Sequence, residues 1–421
     1  MATCSRTCRA RKLGHVDVEI RTIEEREFEA YLGAVELAFS DTLKPEDVER
    51  ERTLVEYDRA FAAFDGSDIV GATAAFTMPM TVPGGEVSVP YVTAVGVRPT
   101  HRRRGINTAL MRSQLDQVHE RGEPIAVLTA SEGNIYGRFG YGLATYGLSI
   151  DLPVGHAAFV RGYRPAGTMK FVPREDAIAS MLAVHEAIRR DRPGMTALNE
   201  TRLVYRLHDH GQDSDKGAST LFVLHEGEEG VDGFVIYRVK HEWPASVPEF
   251  VLTVRDLQAS NPRAYADLWR FVLDVDLIVR VTAWGRPVDD PLLHLVAEPR
   301  RLQATLTDEL WVRVVDVPHA LRRRRYAAEG RVVLEVHDRF CPWNDGGYVL
   351  EGGPDGATCE PADATADLVC SANDLGAAYL GGTSFRQLQR AGLVDERTPG
   401  ALAHADAMFT WDPAPWSPYV F

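Results

Sequence analysis

The sequence predicts a mixed α/β protein built from several domains. Its 421 residues, 45% of them hydrophobic and 25% charged, are typical of a globular chain that is too long for a single core. The order strand, loop, helix, strand occurs at residues 91–129 and again at residues 250–282. Strands and helices that alternate in this way are typical of α/β folds. We therefore expect two successive α/β domains and a third domain of different composition.

The first domain is predicted over residues 16–155, after a basic extension at residues 1–15 that we expect to be disordered. Period-two and helical spacings of apolar residues define its elements. Turns at Gly66 and at residues 83–85, and a helix end at Gly122, separate them. In order, the elements are the strand 16–23, the helix 24–39, the strands 59–64, 69–77 and 91–97, the helix 106–121, the strand 125–129 and a closing strand 143–150.

The second domain is predicted over residues 156–315, with a core that repeats the order of the first domain. A strand at 250–257 leads through the helix cap Ser260-Asn261-Pro262 into a helix at 263–273 and a strand at 277–282. The loop 258–263, however, contains no glycine and a single arginine. A phosphate site at a helix start needs close backbone approach and positive charge. We therefore interpret this domain as a degenerate copy of the first.

The third domain, residues 316–421, has a different pattern. We expect strands at 331–336, 348–351 and 366–370, and helices at 373–379 and 384–391. Four consecutive arginines occupy positions 322–325. Such a run is typical of a solvated helix face, and an anion site is the alternative.

Composition disfavours several classes of protein. No apolar run approaches the roughly eighteen residues of a membrane-spanning helix, and the start lacks the apolar stretch of a secretory signal. The five cysteines include no Cys-x-x-Cys pair, so we expect reduced thiols, no metal site and a cytoplasmic location, with a disulfide or a metal site as the alternative. The net charge of −14 disfavours nucleic acid and anionic membranes as partners and attracts cations. The cysteines are Cys4, Cys8, Cys341, Cys359 and Cys370.

A basic, glycine-containing loop precedes the helix predicted at 106–121. A helix start has unpaired N–H groups that bind phosphate oxygens, and Gly105 has no Cβ to keep a ligand away from the backbone. Arginines at this position add charge-assisted contacts. By itself the loop is also typical of a solvated turn, but the segment 130–133 lies just after the next strand, where the two strands must part. The sequence therefore predicts an anion site beside a splayed sheet.

A glycine-rich turn follows at residues 135–142. Gly137, Gly140 and Gly142 allow an irregular, tight turn, which we expect to expose the tips of Tyr136 and Tyr141. The alternative is an aromatic turn that is packed for structural reasons only.

The segment 93–142, TAVGVRPTHRRRGINTALMRSQLDQVHERGEPIAVLTASEGNIYGRFGYG, resembles the acetyl-CoA-dependent GNAT N-acetyltransferases, and more finely their Eis-like branch. The superfamily pattern (Gln/Arg)-x-x-Gly-x-(Gly/Ala) is met at Arg102 and Gly105, and Asn107 departs from it. The resemblance implies two tandem GNAT-type lobes, the second degenerate, followed by a sterol-carrier-like domain. It also implies acetyl-CoA as cosubstrate, bound by Val95, Gly96, Val97, Arg102, Arg103, Arg104, Gly105, Ile106, Asn107, Ser131 and Glu132.

The resemblance further implies two catalytic groups. Tyr136 matches the general acid toward the coenzyme A sulfur, and Tyr141 is the second choice. A phenol has a pKa near 10 and an alkyl thiol one of about 8.5, so a hydrogen bond to the developing thiolate describes this role better than full proton transfer. The aromatic-rich end suggests a tucked C-terminus, whose α-carboxylate on Phe421 would hold or deprotonate the amine. A packed, inert C-terminus is the alternative.

For the substrate, the resemblance implies polycationic amines such as aminoglycosides, acetylated at several positions, and a homohexameric enzyme. Phe39 and Asp41 are the expected substrate contacts, and Val420 occupies a position where some relatives place an acid. One alternative is an acetyltransferase for protein lysines or small polyamines. Another is a lipid-binding or scaffold protein that carries a vestigial transferase lobe.

Overall fold

The computed structural model describes residues 17–208 and 219–421. The predicted extension, together with Cys4, Cys8 and Val16, lies outside the described residues. The strands are β1 (Glu19–Thr22), β2 (Phe61–Asp65), β3 (Asp68–Val82), β4 (Gly85–Val97), β5 (Ile125–Thr129), β6 (Gly142–Leu143), β7 (Tyr146–Pro153), β8 (Thr168–Val172), β9 (Leu221–Gly227), β10 (Gly230–Lys240), β11 (Phe250–Ala259), β12 (Ile278–Pro287), β13 (Thr305–Asp308), β14 (Leu310–Val314), β15 (Gly330–His337), β16 (Gly346–Gly353), β17 (Gly356–Pro361), β18 (Leu368–Ser371) and β19 (Asp395–Glu396).

The helices surround three sheets. They are α1 (Phe28–Ala38), α2 (Pro45–Arg52), α3 (Ile106–Glu120), α4 (Arg174–Arg189), α5 (Glu200–Arg206), α6 (Pro262–Leu273), α7 (Leu292–Leu295), α8 (Val317–Arg322), α9 (Ala372–Ala378), α10 (Phe385–Arg390) and α11 (Ala401–Phe409). We call the first sheet with α1–α3 the first domain, the second sheet with α4–α7 the second domain, and the third sheet with α8–α11 the C-terminal domain.

The first sheet has the order β1-β2-β3-β4-β5-β14-β6. Helix α3 covers it with the apolar face that its spacing predicts, because Ile106, Leu110, Leu115 and Val118 are all buried. The long β3–β4 hairpin turns at Gly84, whose φ of 66° lies in the left-handed region that favours glycine. The predicted helix 106–121 and the predicted strands 59–64 and 125–129 are confirmed with small differences at their ends. The strands predicted at 69–77 and 91–97 are present but longer, because β3 continues to Val82 and β4 already begins at Gly85.

Two strands, β7 and β14, pair with a different sheet from the one that their neighbours in the chain form. Strand β14 follows the second domain in the chain but lies between β5 and β6, pairing Leu310 with Thr129 and Val312 with Gly142. Strand β7 precedes the second domain but pairs with its β12 and β13. The prediction of one closing strand at 143–150 is therefore wrong, because the chain leaves the first sheet after Leu143 and enters the second at Tyr146.

The second sheet has the order β13-β7-β12-β11-β10-β9-β8. Its central helix α6 begins where the sequence predicts, since the side chain of Asn261 accepts hydrogen bonds from the N–H groups of Arg263 at 3.0 Å and Ala264 at 2.9 Å. Trp269 on this helix is fully buried in the core of the second domain. The predicted strands 250–257 and 277–282 are confirmed as β11 and β12.

The C-terminal domain shares a hydrophobic core with the first sheet. Its own sheet has the order β17-β16-β15-β18-β19, and the predicted strands and helices are present. One continuous cluster of buried side chains includes Tyr91 and Val312 of the first sheet and Leu334 and Tyr379 of the C-terminal domain. These two parts of the chain therefore pack as one body.

The four consecutive arginines 322–325 do not form one solvated face. The prediction of a solvated helix face is wrong for Arg324, which is buried. Its guanidinium is buried and donates to the carbonyl oxygens of Tyr379 and, at 2.8 Å, Phe409, which lie at the ends of α9 and α11. Helix C-termini carry partial negative charge, so one arginine stabilises two helix ends. Arg322, Arg323 and Arg325 are exposed.

Three cysteines lie in the described part of the chain. Cys341, Cys359 and Cys370 are free thiols and are buried, and burial raises their pKa values. Within residues 17–208 and 219–421, no helix is long and apolar enough to cross a membrane, and no cluster of three potential metal-ligating side chains occurs.

A buried carboxylate lies where the chain passes from the second sheet back to the first. The side chain of Glu309 occupies space left by Gly147, since a Cβ at that glycine would lie 2.3 Å from Oε1. Glu309 makes no ion pair with any residue that the structure describes. Burial, with a smaller contribution from Asp308, raises the pKa of Glu309 to about 7.

Glu309→Gln is expected to stabilise the protein at pH 8 and not below pH 4.5. A carboxyl group whose folded pKa of about 7 exceeds the ordinary 4.5 favours folding when protonated, and this stability is lost as pH rises through 7. The gain at pH 8 is up to about 3 kcal/mol, because one pKa unit corresponds to about 1.4 kcal/mol. Urea unfolding at both pH values measures it, with the exposed Glu29→Gln as control. A gain that does not change with pH would contradict the assignment.

Candidate active site

Strands β4 and β5 part at the centre of the first sheet. They are parallel neighbours whose residue pairing is limited to Tyr91 with Val127. Beyond this point β4 contains a bulge, in which Ala94 and Val95 face the single residue Thr73 of β3. Ala94 has a φ of 54°. A bulge bends the strand that carries it, so the end of β4, with Val95, Gly96 and Val97, is turned away from β5. The predicted splay is confirmed.

The basic loop places unpaired N–H groups at the start of α3. Gly105 precedes the helix with a φ of 81°, and the N–H of Ala109 is the one that bonds back to Gly105, at 3.1 Å. The N–H groups of Ile106, Asn107 and Thr108 therefore have no acceptor within the helix. The Ile106 side chain is buried in the core, so this residue presents only its backbone to the loop.

The side chains of the loop have different surroundings. Arg102, Arg103 and Arg104 are exposed, but Arg102 also donates from Nη2 to the carbonyl oxygen of Ala38 at 3.1 Å, at the end of α1. The Oδ1 atom of Asn107 is buried and has no hydrogen-bond partner among the described residues. The loop thus offers three exposed cations and one unpaired carboxamide beside the helix start.

The expected substrate residues lie at the end of α1. A Cβ at Gly96 would lie 2.7 Å from the Cβ of Ala38 and 3.8 Å from the ring of Phe39, so glycine allows α1 to approach the end of β4. Phe39 is 54% exposed and therefore accessible beside this strand. Asp41 is exposed two residues later. Across the splay, Ser131 and Glu132 are exposed after β5.

The glycine-rich turn buries its two tyrosines to different extents. Tyr136, in a short 3-10 helix, is 8% exposed, whereas Tyr141 is fully buried and its hydroxyl has no hydrogen-bond partner within the described residues. Burial raises the pKa of Tyr136 to about 12 and that of Tyr141 further. The expectation that the turn exposes both tyrosine tips is therefore wrong: the core encloses Tyr141 fully, and Tyr136 is buried except for a small accessible part. This geometry favours Tyr136 over Tyr141 as a donor to a ligand.

The C-terminal domain contacts this turn and forms hydrogen bonds with its backbone. The amide Nδ2 of Asn373, on α9, donates to the carbonyl oxygens of Gly137 at 2.6 Å and Tyr141 at 2.9 Å. A Cβ at Gly142 would lie 1.8 Å from the Asn373 carbonyl oxygen, so only glycine permits the contact. Nothing in the local sequence around Asn373 indicates this role, because its partners are far away in the chain.

A buried ion pair lies under the same turn. Arg313 of β14 is fully buried and donates from Nη2 to Oδ2 of Asp338 at 2.6 Å. Asp338 also accepts from the N–H groups of Phe340 at 3.1 Å and Cys341 at 2.8 Å. The site therefore depends on a strand and a loop that the sequence analysis did not assign to it.

The chain end reaches the edge where β4 and β5 part. The ring of Phe421 packs edge-on against Tyr91 and Phe76, with centroid distances of 4.6 and 5.8 Å. The hydroxyl of Thr129, the last residue of β5, donates to a terminal oxygen of Phe421 at 3.4 Å. Sequence reasoning placed Phe421 in the cleft but missed Thr129. Val420 is 57% exposed.

Comparisons with known proteins identify the family. Residues 19–144 and residues 194–314 each match an acetyltransferase (GNAT) domain, and residues 317–418 match a sterol carrier protein domain. An "Uncharacterized N-acetyltransferase" of Streptomyces avermitilis is 42% identical over 414 residues, 96% of this chain and 99% of the relative. The N-acetyltransferase Eis of Mycobacterium tuberculosis is 32% identical over 389 residues, 89% and 92% of the two chains. The chain belongs to the Eis-like N-acetyltransferases.

The crystal structure of Eis1 from Mycobacterium abscessus superposes with a TM-score of 0.83 at 33% identity, covering 96% of this chain and all of that one. The predicted fold class is confirmed, and the second domain is a GNAT domain as expected. The Eis-like chain is thus an N-acetyltransferase, and GNAT acetyltransferases use acetyl-CoA. Family membership supports an enzyme and not the lipid-binding or scaffold alternative.

Proposed function

We propose that this Eis-like enzyme transfers acetyl groups from acetyl-CoA to amines of polycationic small molecules such as aminoglycosides, at more than one position of a molecule. The observation that carries the proposal is the chain end, whose terminal carboxyl group accepts a hydrogen bond from Thr129 at the edge where β4 and β5 part. The homohexamer and the cytoplasmic location stay predictions.

The splayed strands and the loop fit acetyl-CoA, which supplies the acetyl group as an activated thioester. The unpaired N–H groups at the start of α3 suit the pyrophosphate, and Gly105 leaves them open to it. Arg102, Arg103 and Arg104 add positive charge, and the carboxamide of Asn107 can present its NH₂ group. The backbone of Val95, Gly96 and Val97 suits the pantetheine amides, with Ser131 and Glu132 on the opposite side.

Tyr136 acts as a hydrogen-bond donor to the departing sulfur. Its pKa is raised to about 12, whereas an alkyl thiol has a pKa of about 8.5. Full proton transfer from Tyr136 to the thiolate would therefore be unfavourable by about 3.5 pKa units, or ~5 kcal/mol. A donor that stays protonated still stabilises the negative charge that develops on sulfur, and a buried site strengthens that interaction.

The terminal carboxylate of Phe421 holds a substrate ammonium. A terminal carboxyl has a pKa near 3.5, so this group is ionised at neutral pH and is a weak base. Phe39 presents an exposed ring that suits a cation, and Asp41 adds a second negative charge. The overall charge of −14 favours the approach of polycations.

Thiol release from acetyl-CoA across aminoglycosides, polyamines and lysine peptides tests the substrate class. We expect several equivalents of thiol per aminoglycoside molecule and a KM that rises with salt, because exposed charges are screened. Single acetylation of a lysine peptide without turnover of any aminoglycoside would contradict the proposal and support the protein-lysine alternative.

Tyr136→Phe is expected to lower kcat by roughly 10²-fold, as loss of one transition-state donor does, and to leave the KM for acetyl-CoA nearly unchanged. Tyr141→Phe is the matched variant, since its hydroxyl is buried and has no hydrogen-bond partner in the part of the chain that the structure describes. We expect it to keep normal turnover. Steady-state kinetics of both variants decide between the two tyrosines, and the reverse ranking would contradict the role of Tyr136.

Extension of the chain by one glycine after Phe421 separates the carboxylate from the ring. The ring keeps its position while the charge moves by about 3.5 Å, and such a displacement of a positioning group costs about 10²-fold in kcat/KM. Phe421→Leu, which keeps the carboxylate in place, is expected to lose less. Near-normal kinetics of the extended enzyme would show that the chain end is inert.

A further inference from the structure

The last six residues of the chain cross from the second domain into the cleft of the first. Trp416 is fixed on the second domain, where its indole Nε1 donates to the carbonyl oxygen of Gly285 at 2.7 Å and its backbone N–H donates to that of Pro193 at 2.8 Å. Phe421 is fixed on the first domain by Thr129, Tyr91 and Phe76, as described above. The segment between them, residues 417–420, therefore determines where the carboxylate lies.

Tyr419 anchors the middle of this segment in the second domain. It is 6% exposed, and its hydroxyl accepts a hydrogen bond from Nε2 of Gln258 at 3.0 Å and lies 3.1 Å from Nδ1 of His185. The other ring nitrogen of His185 lies 2.7 Å from the carbonyl oxygen of Thr196. The tyrosine hydroxyl thus joins a buried network that strand β11 and helix α4 already hold in place.

Helix α5 covers the same region with two arginines one turn apart. The guanidinium carbon of Arg206 lies 3.5 Å from the ring centre of Tyr419, and its Nη1 donates to Asp256 at 3.0 Å. Arg202 lies 3.8 Å over the ring of Phe76, which itself contacts Phe421. Residues four apart lie on one face of a helix. Helix α5 therefore packs one arginine on Tyr419 and the other on Phe76, the two rings that position the chain end.

We infer that the second GNAT domain positions the C-terminal carboxylate, through the Tyr419 network and the arginine face of α5. The inference rests on the proposed role of Phe421. Two residues span about 7 Å of extended chain, so fixing Tyr419 and the Phe421 ring leaves the carboxylate little freedom. A reacting group that is held in place avoids an entropic cost during catalysis. A domain without a coenzyme loop thereby contributes to the site, and Tyr419, Arg206 and His185 are positioning residues.

Tyr419→Phe tests the inference when it is made in two backgrounds. In the otherwise native enzyme we expect kcat to fall by about tenfold, with the KM for acetyl-CoA unchanged, because only the charge for the amine is displaced. In the enzyme extended by one glycine the carboxylate is already displaced, so the same substitution should lower the residual kcat no further. Coupling of this kind marks groups that act through one another.

Two controls separate positioning from stability. Tyr326→Phe removes an equally buried hydroxyl, which donates to the carbonyl oxygen of Leu321 at 2.9 Å in the C-terminal domain, and should cost stability without changing kcat. Arg206→Met keeps the length of the side chain and should reproduce the loss of kcat seen with Tyr419→Phe. Thermal unfolding of each variant confirms that the native fold is retained.

The outcomes are distinguishable. An equal fall of kcat in both backgrounds, or no fall in the native background, overturns the inference while a damaging glycine extension still supports the role of Phe421. If the extension itself leaves kinetics unchanged, the proposed function of the chain end fails, and the inference fails with it.

Discussion

The insertion of β14 between β5 and β6 is the constraint on which the rest of this structure depends. It gives β5 a partner along all five residues, up to Thr129 opposite Leu310. An edge strand without it would leave that row of backbone groups unpaired. Because the whole second domain lies between β5 and β14 in the chain, the first sheet is completed by a strand that is far from it in sequence. Such non-local pairing slows folding, but it fixes the two domains relative to each other.

The same strand links the glycine-rich turn 135–142 to the C-terminal domain through Arg313 and Asp338. Nε and Nη1 of this arginine are buried without a partner among the described residues, so the pair is not fully satisfied. A buried ion pair often contributes little net stability, but breaking one costs about 3–5 kcal/mol. A Cβ at Gly140 would lie 2.5 Å from Nη1, so the turn and the guanidinium determine each other's position. The main effect of the ion pair is therefore to fix the position of the glycine-rich turn, and the hydrogen bonds from Asn373 restrain the same turn.

Local patterns sufficed for the parts of the fold that local interactions form. The start of α3 at Gly105, the cap of α6 at Asn261 and the strand β5 were all predicted from neighbouring residues. The pairing of β7 with the second sheet and of β14 with the first was not predicted, because the apolar pattern of a strand does not indicate which sheet it joins. Likewise, the sequence predicts that Gly142 allows a tight turn, whereas the structure shows that it also makes room for the backbone of helix α9, which lies more than 200 residues later in the chain. The candidate site was thus half predictable, namely where its residues are close in sequence.

The roles proposed for Tyr136 and Phe421 would favour substrates that carry several amines. In the roles proposed for them, neither Tyr136 nor the terminal carboxylate of Phe421 transfers a proton readily near neutral pH. Tyr136 would donate a hydrogen bond to the sulfur, and the carboxylate would pair with a substrate cation. A carboxylate about 4 Å from an ammonium stabilises it by roughly 4 kcal/mol at an effective dielectric constant of 20. That raises the pKa of the paired amine by about 3 units and makes its neutral, nucleophilic form about a thousandfold rarer. A polyamine resolves this conflict, because one ammonium can remain anchored at Phe421 while another amine is neutral and accepts the acetyl group.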